Sequence, residues 1–155
     1  TESPVMNATP QSIWFPGVTL ADCNAISRDT MTESVGIVFT EMGADFLRCT
    51  MPVTERTCQP MRILHGGASV VLAESLASTA ANLTFDFSKQ AAVGQEINAN
   101  HLRPAAFGST VTGTARPFHI GARSQVWGIE IVDERQRLVC VSRITMAVIE
   151  RAPRA

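Results

Sequence analysis

No two of the four cysteines, Cys23, Cys49, Cys58 and Cys140, have the CxxC spacing of a metal knuckle or redox pair. Their scatter through an apolar chain argues against a disulfide framework and for a reducing compartment, so a cytoplasmic location is expected. The three histidines, His65, His101 and His119, sit in separate segments without ligand spacing, which argues against a metal hydrolase. No GxSxG is present, so the nucleophile elbow of an α/β-hydrolase is missing too. No uncharged apolar run has the roughly 18 residues of a membrane span. The first twenty residues lack the basic start and apolar run of a signal peptide. Excess charge is also lacking: a net charge of −1 gives no support for a nucleic-acid partner. Of the thirteen basic residues only Lys89 is a lysine. Arginine grips phosphate and carboxylate bidentately, but genome base composition can favour it without any functional reason.

What is present suits one compact domain: 155 residues, 45% apolar and 17% charged. Residues 1–11, "TESPVMNATPQ", are polar with two prolines and are expected to be loose, as is the tail 151–155. A single domain is expected over 12–150, with no repeat and no interior linker. "TLADCNAIS" begins with a capping threonine, Thr19, and reads as a short helix. Residues 34–42 and 45–53 read as two strands around a tight Gly43-Ala44 turn, followed by a polar loop, "TERTCQPMR". One long helix is predicted from His65 to about Leu83. After Lys89 the pattern changes to period two, predicting strands in "AVGQEINANHL", "STVTGTARPF", "RSQVWGIEIVDE" and "RLVCVSRITMAVIE". "DERQR" fits the hairpin loop between the last two. Consecutive strands imply a largely antiparallel sheet, and the long helix must bury itself on it. The fold class is α+β.

Between Arg62 and Asp86 the sole formal charge is Glu74. A helix apolar nearly all round is a buried helix, wrapped by the sheet on one side and covered by something else on the other. Its lone carboxylate has Val70, Val71, Ala77 and Ser78 as neighbours at i±3 and i±4. A buried carboxylate is kept when it pairs with a cation, here one of the arginines, or when it does chemistry. At the helix mouth, Gly66 and Gly67 remove side chains where free N–H groups point outward, which suits an oxyanion. They also suit a tight turn or the close approach of another backbone. His65 is a cap, a packing histidine, or part of such a site.

"QPMRILHGGASVVLAESLAS", "VGQEINANHLRPA", "RPFHIGARSQVWGIEI" and "RLVCVSRITMAV" together resemble the hotdog-fold acyl-CoA thioesterases. The resemblance is to the branch that includes 1,4-dihydroxy-2-naphthoyl-CoA thioesterase and the proofreading thioesterase of enterobactin synthesis, and it runs from about Ile13 to Ile149. It implies an antiparallel sheet wrapped around one long central helix, and hydrolysis of acyl-CoA, with aryl groups suggested by the branch. It also implies roles. Glu74 would be nucleophile or general base, and the Gly66 N–H would polarise the thioester carbonyl, with Gln59 and His65 near that oxygen. Ser78 would hold the attacking water or orient the carboxylate. Gly94, His101, Leu102, Arg103 and Pro104, and Phe118, His119, Ile120, Gly121, Ala122 and Arg123, would line the coenzyme A path. Arg103 and Arg123, each at or near a strand end where a loop reaches solvent, are expected to meet its phosphates, or else to be surface charges paired with Glu or Asp. Met61, Val70, Val71 and Phe85 are candidates for the acyl wall.

The chemistry is coherent on its own terms. A thioester needs a donor for its developing oxyanion and a base or nucleophile. The departing thiolate of coenzyme A is a good leaving group, so neither metal nor cofactor is expected. Two other readings compete. A hotdog hydratase or dehydratase would set a histidine against an aspartate. A non-catalytic acyl-CoA binding domain would keep the pocket without needing a lone acid. Gly66 and Glu74 are eight residues apart, roughly 12 Å along a helix at about 1.5 Å per residue. That span disfavours one chain supplying both to one carbonyl and points to a site shared across a two-fold axis. The resemblance implies a dimer of dimers.

Overall fold

The computed structural model describes residues 11–152, so residues 1–10 and 153–155 of the two expected loose ends lie outside the described part. Helix α1 (Leu20–Ile26) starts where the sequence placed it. Thr19 and Asp22 form a reciprocal capping box that satisfies donors at the helix start. A second, one-turn helix, α2 (Met31–Ser34), and the turn after it take residues 34–37, which the sequence offered as the start of a strand. The Glu33 carboxylate accepts the Asp29 N–H at 2.8 Å, and Gly36 leaves the turn at φ +84°, a conformation open to glycine and strained for Val or Ile. Strand β1 therefore runs only over Val38–Met42, not 34–42. The next connection is wider than a Gly43-Ala44 turn: it spans Gly43 to Phe46, closed by the Gly43 N–H on the Phe46 carbonyl at 2.9 Å. Strand β2 follows at Leu47–Pro52.

The long helix α3 (Gly66–Asn82) has His65 as N-cap and Leu83 as C-cap, as the sequence predicts. The four strands after it are β3 (Gln90–His101), β4 (Thr110–Ile120), β5 (Ser124–Val132) and β6 (Leu138–Glu150). All six strands form one antiparallel sheet in the order β1-β2-β4-β5-β6-β3. Just past β6 the Arg151 N–H donates to the Lys89 carbonyl at 2.8 Å.

One stripe of α3, Ser69, Leu72, Ala73, Leu76, Ala77, Ala80 and Ala81, is buried at the i, i+3, i+4 spacing of a core-facing helix. It meets the inward side chains of β4, β5 and β6, among them Val111, Trp127, Ile129, Ile144 and Met146. Each fully buried Leu or Ile contributes about 1.5–3 kcal/mol by leaving water. Trp127 also carries polar order into this core. Its indole N–H donates to Gln125 Oε1 at 2.9 Å, and Gln125 Nε2 donates to Thr84 Oγ1 at 2.9 Å, just past the helix. The other side of α3, with Val70, Val71, Glu74, Ser75, Ser78 and Thr79, is only half-buried within one chain. No helix of the described residues is long and apolar enough to cross a membrane.

Candidate active site

The site is built outward from the mouth of α3. His65 Nδ1 accepts the Gly67 N–H at 2.8 Å, while the His65 carbonyl takes the N–H groups of Ala68 and Ser69 at 3.0 and 3.2 Å. One orphan donor remains: among the described residues the Gly66 N–H meets no acceptor. The helix dipole lies behind it, which favours developing negative charge there. With Nδ1 accepting, the proton of a neutral His65 ring sits on Nε2, and the ring is solvent-exposed. A Cβ on Gly66 would come within 3.0 Å of His101 Nε2, so the glycine lets the end of β3 close against the helix mouth.

Around this donor lies an open recess of about 440 Å³, lined by Ile63, Leu64, Gly66, Ser69, His101, Leu102, Arg103, Pro104 and Val139. Backbone bonds fix its walls: Leu64 N–H to the Ala105 carbonyl and Leu102 N–H to the Val139 carbonyl, both 2.8 Å. Gln59 lies on the adjoining loop, which is pinned by its own N–H on the Ile63 carbonyl at 2.9 Å. Its side-chain Oε1 accepts the Met61 N–H, so its amide nitrogen is the part left to donate.

Glu74 lies two turns along α3, its carboxylate packed against Gly94 of β3, where any Cβ would overlap Oε1. The strand is irregular at this point, with a register shift between Gly94 and Glu96. Among the described residues no arginine reaches Glu74, and it has no hydrogen bond or ion pair. The ion-pair reading left open by the sequence is thus not what one chain shows. Ser78, one turn further, gives its hydroxyl to Met146 Sδ at 3.8 Å and not to Glu74. Cysteine nucleophiles are disfavoured by burial, which pushes Cys49 up to about 12, Cys23 up to about 11, and Cys140 up as well.

The two segments expected along the coenzyme A path do not meet in one chain. His101 to Pro104 border the helix mouth. Across the sheet, Gly94 is level with Met146, Gln125 and Ile120, so the segment 118–123 lies at the Glu74 end. There the Gly121 N–H on the Ser124 carbonyl closes a hairpin with Ala122 and Arg123 exposed at its tip. His119 folds back over Gly121. Phe118 points to the outer face of the sheet, over Gly128, with the Arg143 guanidinium 5.1 Å above its ring. Met61 and Phe85 do not line the recess: Met61 is 77% exposed on its loop and Phe85 packs on the core beyond the far end of α3. The walls that the sequence reading missed are Ile63, Leu64, Ser69 and Val139. An apolar pair immediately before the capping His65 was the available signal for the first two.

Residues 61–140 match the family model described as Thioesterase superfamily. The 1,4-dihydroxy-2-naphthoyl-CoA hydrolase of Escherichia coli (strain K12) is 50% identical over 137 residues, covering 88% of this chain and 99% of that protein. The proofreading thioesterase EntH of Cronobacter sakazakii is 47% identical, covering 88% and 98%. Among solved structures, a variant of thioesterase PA1618 from Pseudomonas aeruginosa superposes with a TM-score of 0.87 at 41% identity, covering 90% of this chain and all of that one. With such likeness in sequence spread over the same sheet and helix, the chain belongs to the thioesterase superfamily and has its hotdog fold.

Proposed function

We propose that this protein hydrolyses acyl-CoA thioesters, aryl-CoA among them, to the free acid and coenzyme A. The observation that carries the reading is the pairing, on one helix, of an N–H at Gly66 and a carboxylate at Glu74 that are both without a partner among the described residues. The thioester oxygen would accept the Gly66 N–H, with the free amide of Gln59 and the exposed His65 ring beside it. Negative charge developing on that oxygen is then met by a preoriented donor. Glu74 either attacks the carbonyl carbon or takes a proton from a water that does. In the first route the C–S bond breaks, coenzyme A leaves as thiolate, and water then hydrolyses the acyl–Glu74 anhydride to the free acid; in the second the adduct of water expels the same thiolate, so the chemistry asks for no metal and no cofactor. The aryl preference is supported by the name of the Escherichia coli relative, which acts on a naphthoyl thioester.

We further propose that each site takes the helix mouth from one chain and Glu74 from another. Within one chain Gly66 abuts His101 and the Glu74 carboxylate abuts Gly94, seven residues apart on the same strand. The two coenzyme A segments are split in the same way, 101–104 at the mouth and 118–123 at the Glu74 end. A two-fold axis with antiparallel helices joins both pairs of halves at once and covers the half-buried side of α3. Two such dimers would make the dimer of dimers.

The test is thiol release from a panel of aryl- and alkyl-CoA thioesters. Glu74→Gln keeps the shape and removes the base, and is expected to lose on the order of 10² to 10⁴ in turnover with its fold intact. Near-normal turnover in Glu74→Gln would remove Glu74 from the chemistry. Tight binding of acyl-CoA by the wild type with no thiol release would favour the non-catalytic reading instead.

A further inference from the structure

Asn82 is the last residue of α3, and with Glu74 and Ser78 it forms one stripe at i, i+4, i+8. Its side chain is bonded throughout. Nδ2 donates to the Ser78 carbonyl at 2.8 Å and to the Ala92 carbonyl at 3.0 Å, and Oδ1 accepts the Ala92 N–H at 2.8 Å. The amide thus pairs with Ala92 as the peptide group of a neighbouring strand would. Ala92 belongs to β3, which ends the sheet and has a strand partner on one side only. Two residues further on, Gly94 receives the Glu74 carboxylate, at the place where the ladder between β3 and β6 slips register.

From this arrangement we infer that Asn82 is a positioning residue for Glu74, clamping β3 to α3 so that Gly94 holds the carboxylate in place. The inference rests on the reading of Glu74 as the reacting group. Three observations lead to it. First, Glu74 has no hydrogen bond among the described residues, so packing against Gly94 is what sets its orientation. Second, the bulge beside Gly94 weakens the support that β3 draws from β6 at that point. Third, among the described residues the side-chain hydrogen bonds between α3 and β3 are the two made by Asn82. If β3 drifts, the carboxylate loses its wall, and a displacement near 1 Å at a reacting group can lower a rate by about two orders of magnitude. Arg103 lies at the helix mouth, away from Ala92, so its contact with coenzyme A would be spared and the effect belongs chiefly to kcat.

The experiment is a double-variant cycle on the full chain, with benzoyl-CoA as the probe and thiol release as the readout. Asn82→Ala is expected to lower kcat on the order of tenfold while KM moves less than about twofold. Introduced into Glu74→Gln, the same change is expected to cost the residual rate nothing further, because the group it positions is already gone. Equal losses in both backgrounds would mark a general loosening and overturn the positioning role alone. Near-normal turnover in Glu74→Gln by itself would overturn the reading of Glu74 and the positioning role with it. Should Asn82→Ala not fold, Asn82→Asp carries the test. It keeps an acceptor for the Ala92 N–H, loses both donors, and is expected to lower kcat in the same direction. A folded Asn82→Asp with wild-type kcat would overturn the proposal.

Discussion

Arg103 and Arg123 are exposed, and neither forms an ion pair among the described residues. Arg103 spends one contact, Nη1 to the Leu138 carbonyl at 3.3 Å, which aims the guanidinium along the wall of the recess. Arg123 stands at the β4–β5 hairpin tip, at the Glu74 end of the sheet. If each meets a phosphate of coenzyme A, its contribution is remote from the reacting carbon and equal in ground and transition states. Replacing either with Ala should then raise KM by roughly three- to tenfold, as befits one exposed charge contact, and leave kcat nearly unchanged. The increase should shrink as salt is added. Unchanged KM in both variants at low salt would take these arginines out of the site. Glu74 is the opposite case: if it touches the reacting atoms, as proposed, its removal is expected in kcat.

At the scale of elements, the β5–β6 hairpin shows how one side chain fixes a turn. Asp133 accepts the backbone N–H groups of Arg137 and Arg135, both at 2.9 Å, and the Arg137 guanidinium at 2.8 Å. These donors, the Arg137 N–H foremost, hold the carboxyl below the usual carboxylate range. A folded-state pKa below the unfolded one stabilises the protein above the unfolded value, near 4, and that contribution disappears as pH falls through the folded value. Asp133→Asn should therefore lower the melting temperature at pH 7, and the gap to wild type should close as the pH is taken from about 4 towards 2. Parallel melting curves across that range would show that the turn does not depend on this charge.

The hairpin was legible in "DERQR", as was α3, because both are specified locally: a turn cluster between alternating strands, and a capped run of helix formers. What was read wrongly was also local but ambiguous. "SVGIVF" carries β-branched residues, yet the Glu33 bond to the Asp29 N–H and the positive φ of Gly36 give its start to a helical turn. The halves of the candidate site were visible as the Gly66 mouth and the lone Glu74. Their surroundings were not, because Gly94 against Glu74 and Asn82 against Ala92 are contacts between a helix and an edge strand. Nothing in either segment alone announces its partner.

For the whole molecule the question is whether one chain is a complete catalyst. The helix places about 12 Å between Gly66 and Glu74. A carbonyl whose oxygen meets the donor needs the attacking atom within about 3 Å of its carbon. The glutamate leans back toward the helix start and recovers part of that distance, but its carboxylate is packed on Gly94, away from the recess beside His101. Two chains with antiparallel helices would remove the conflict, and that arrangement makes a count that can be measured. Mix a Gln59→Ala chain with a Glu74→Gln chain, let subunits exchange, and isolate the hybrids by two different tags. In a hybrid dimer one site combines the intact mouth of the second chain with the intact Glu74 of the first, while the other site carries both defects. Hybrids should therefore regain about half of wild-type kcat, and an unsorted equimolar mixture about a quarter, from parents that are each nearly inactive. A site contained within one chain gives a different count: every site keeps one defect, and the hybrids stay as inactive as their parents. Hybrids that form, verified by their tags, and show no recovery would return both halves of the site to a single chain.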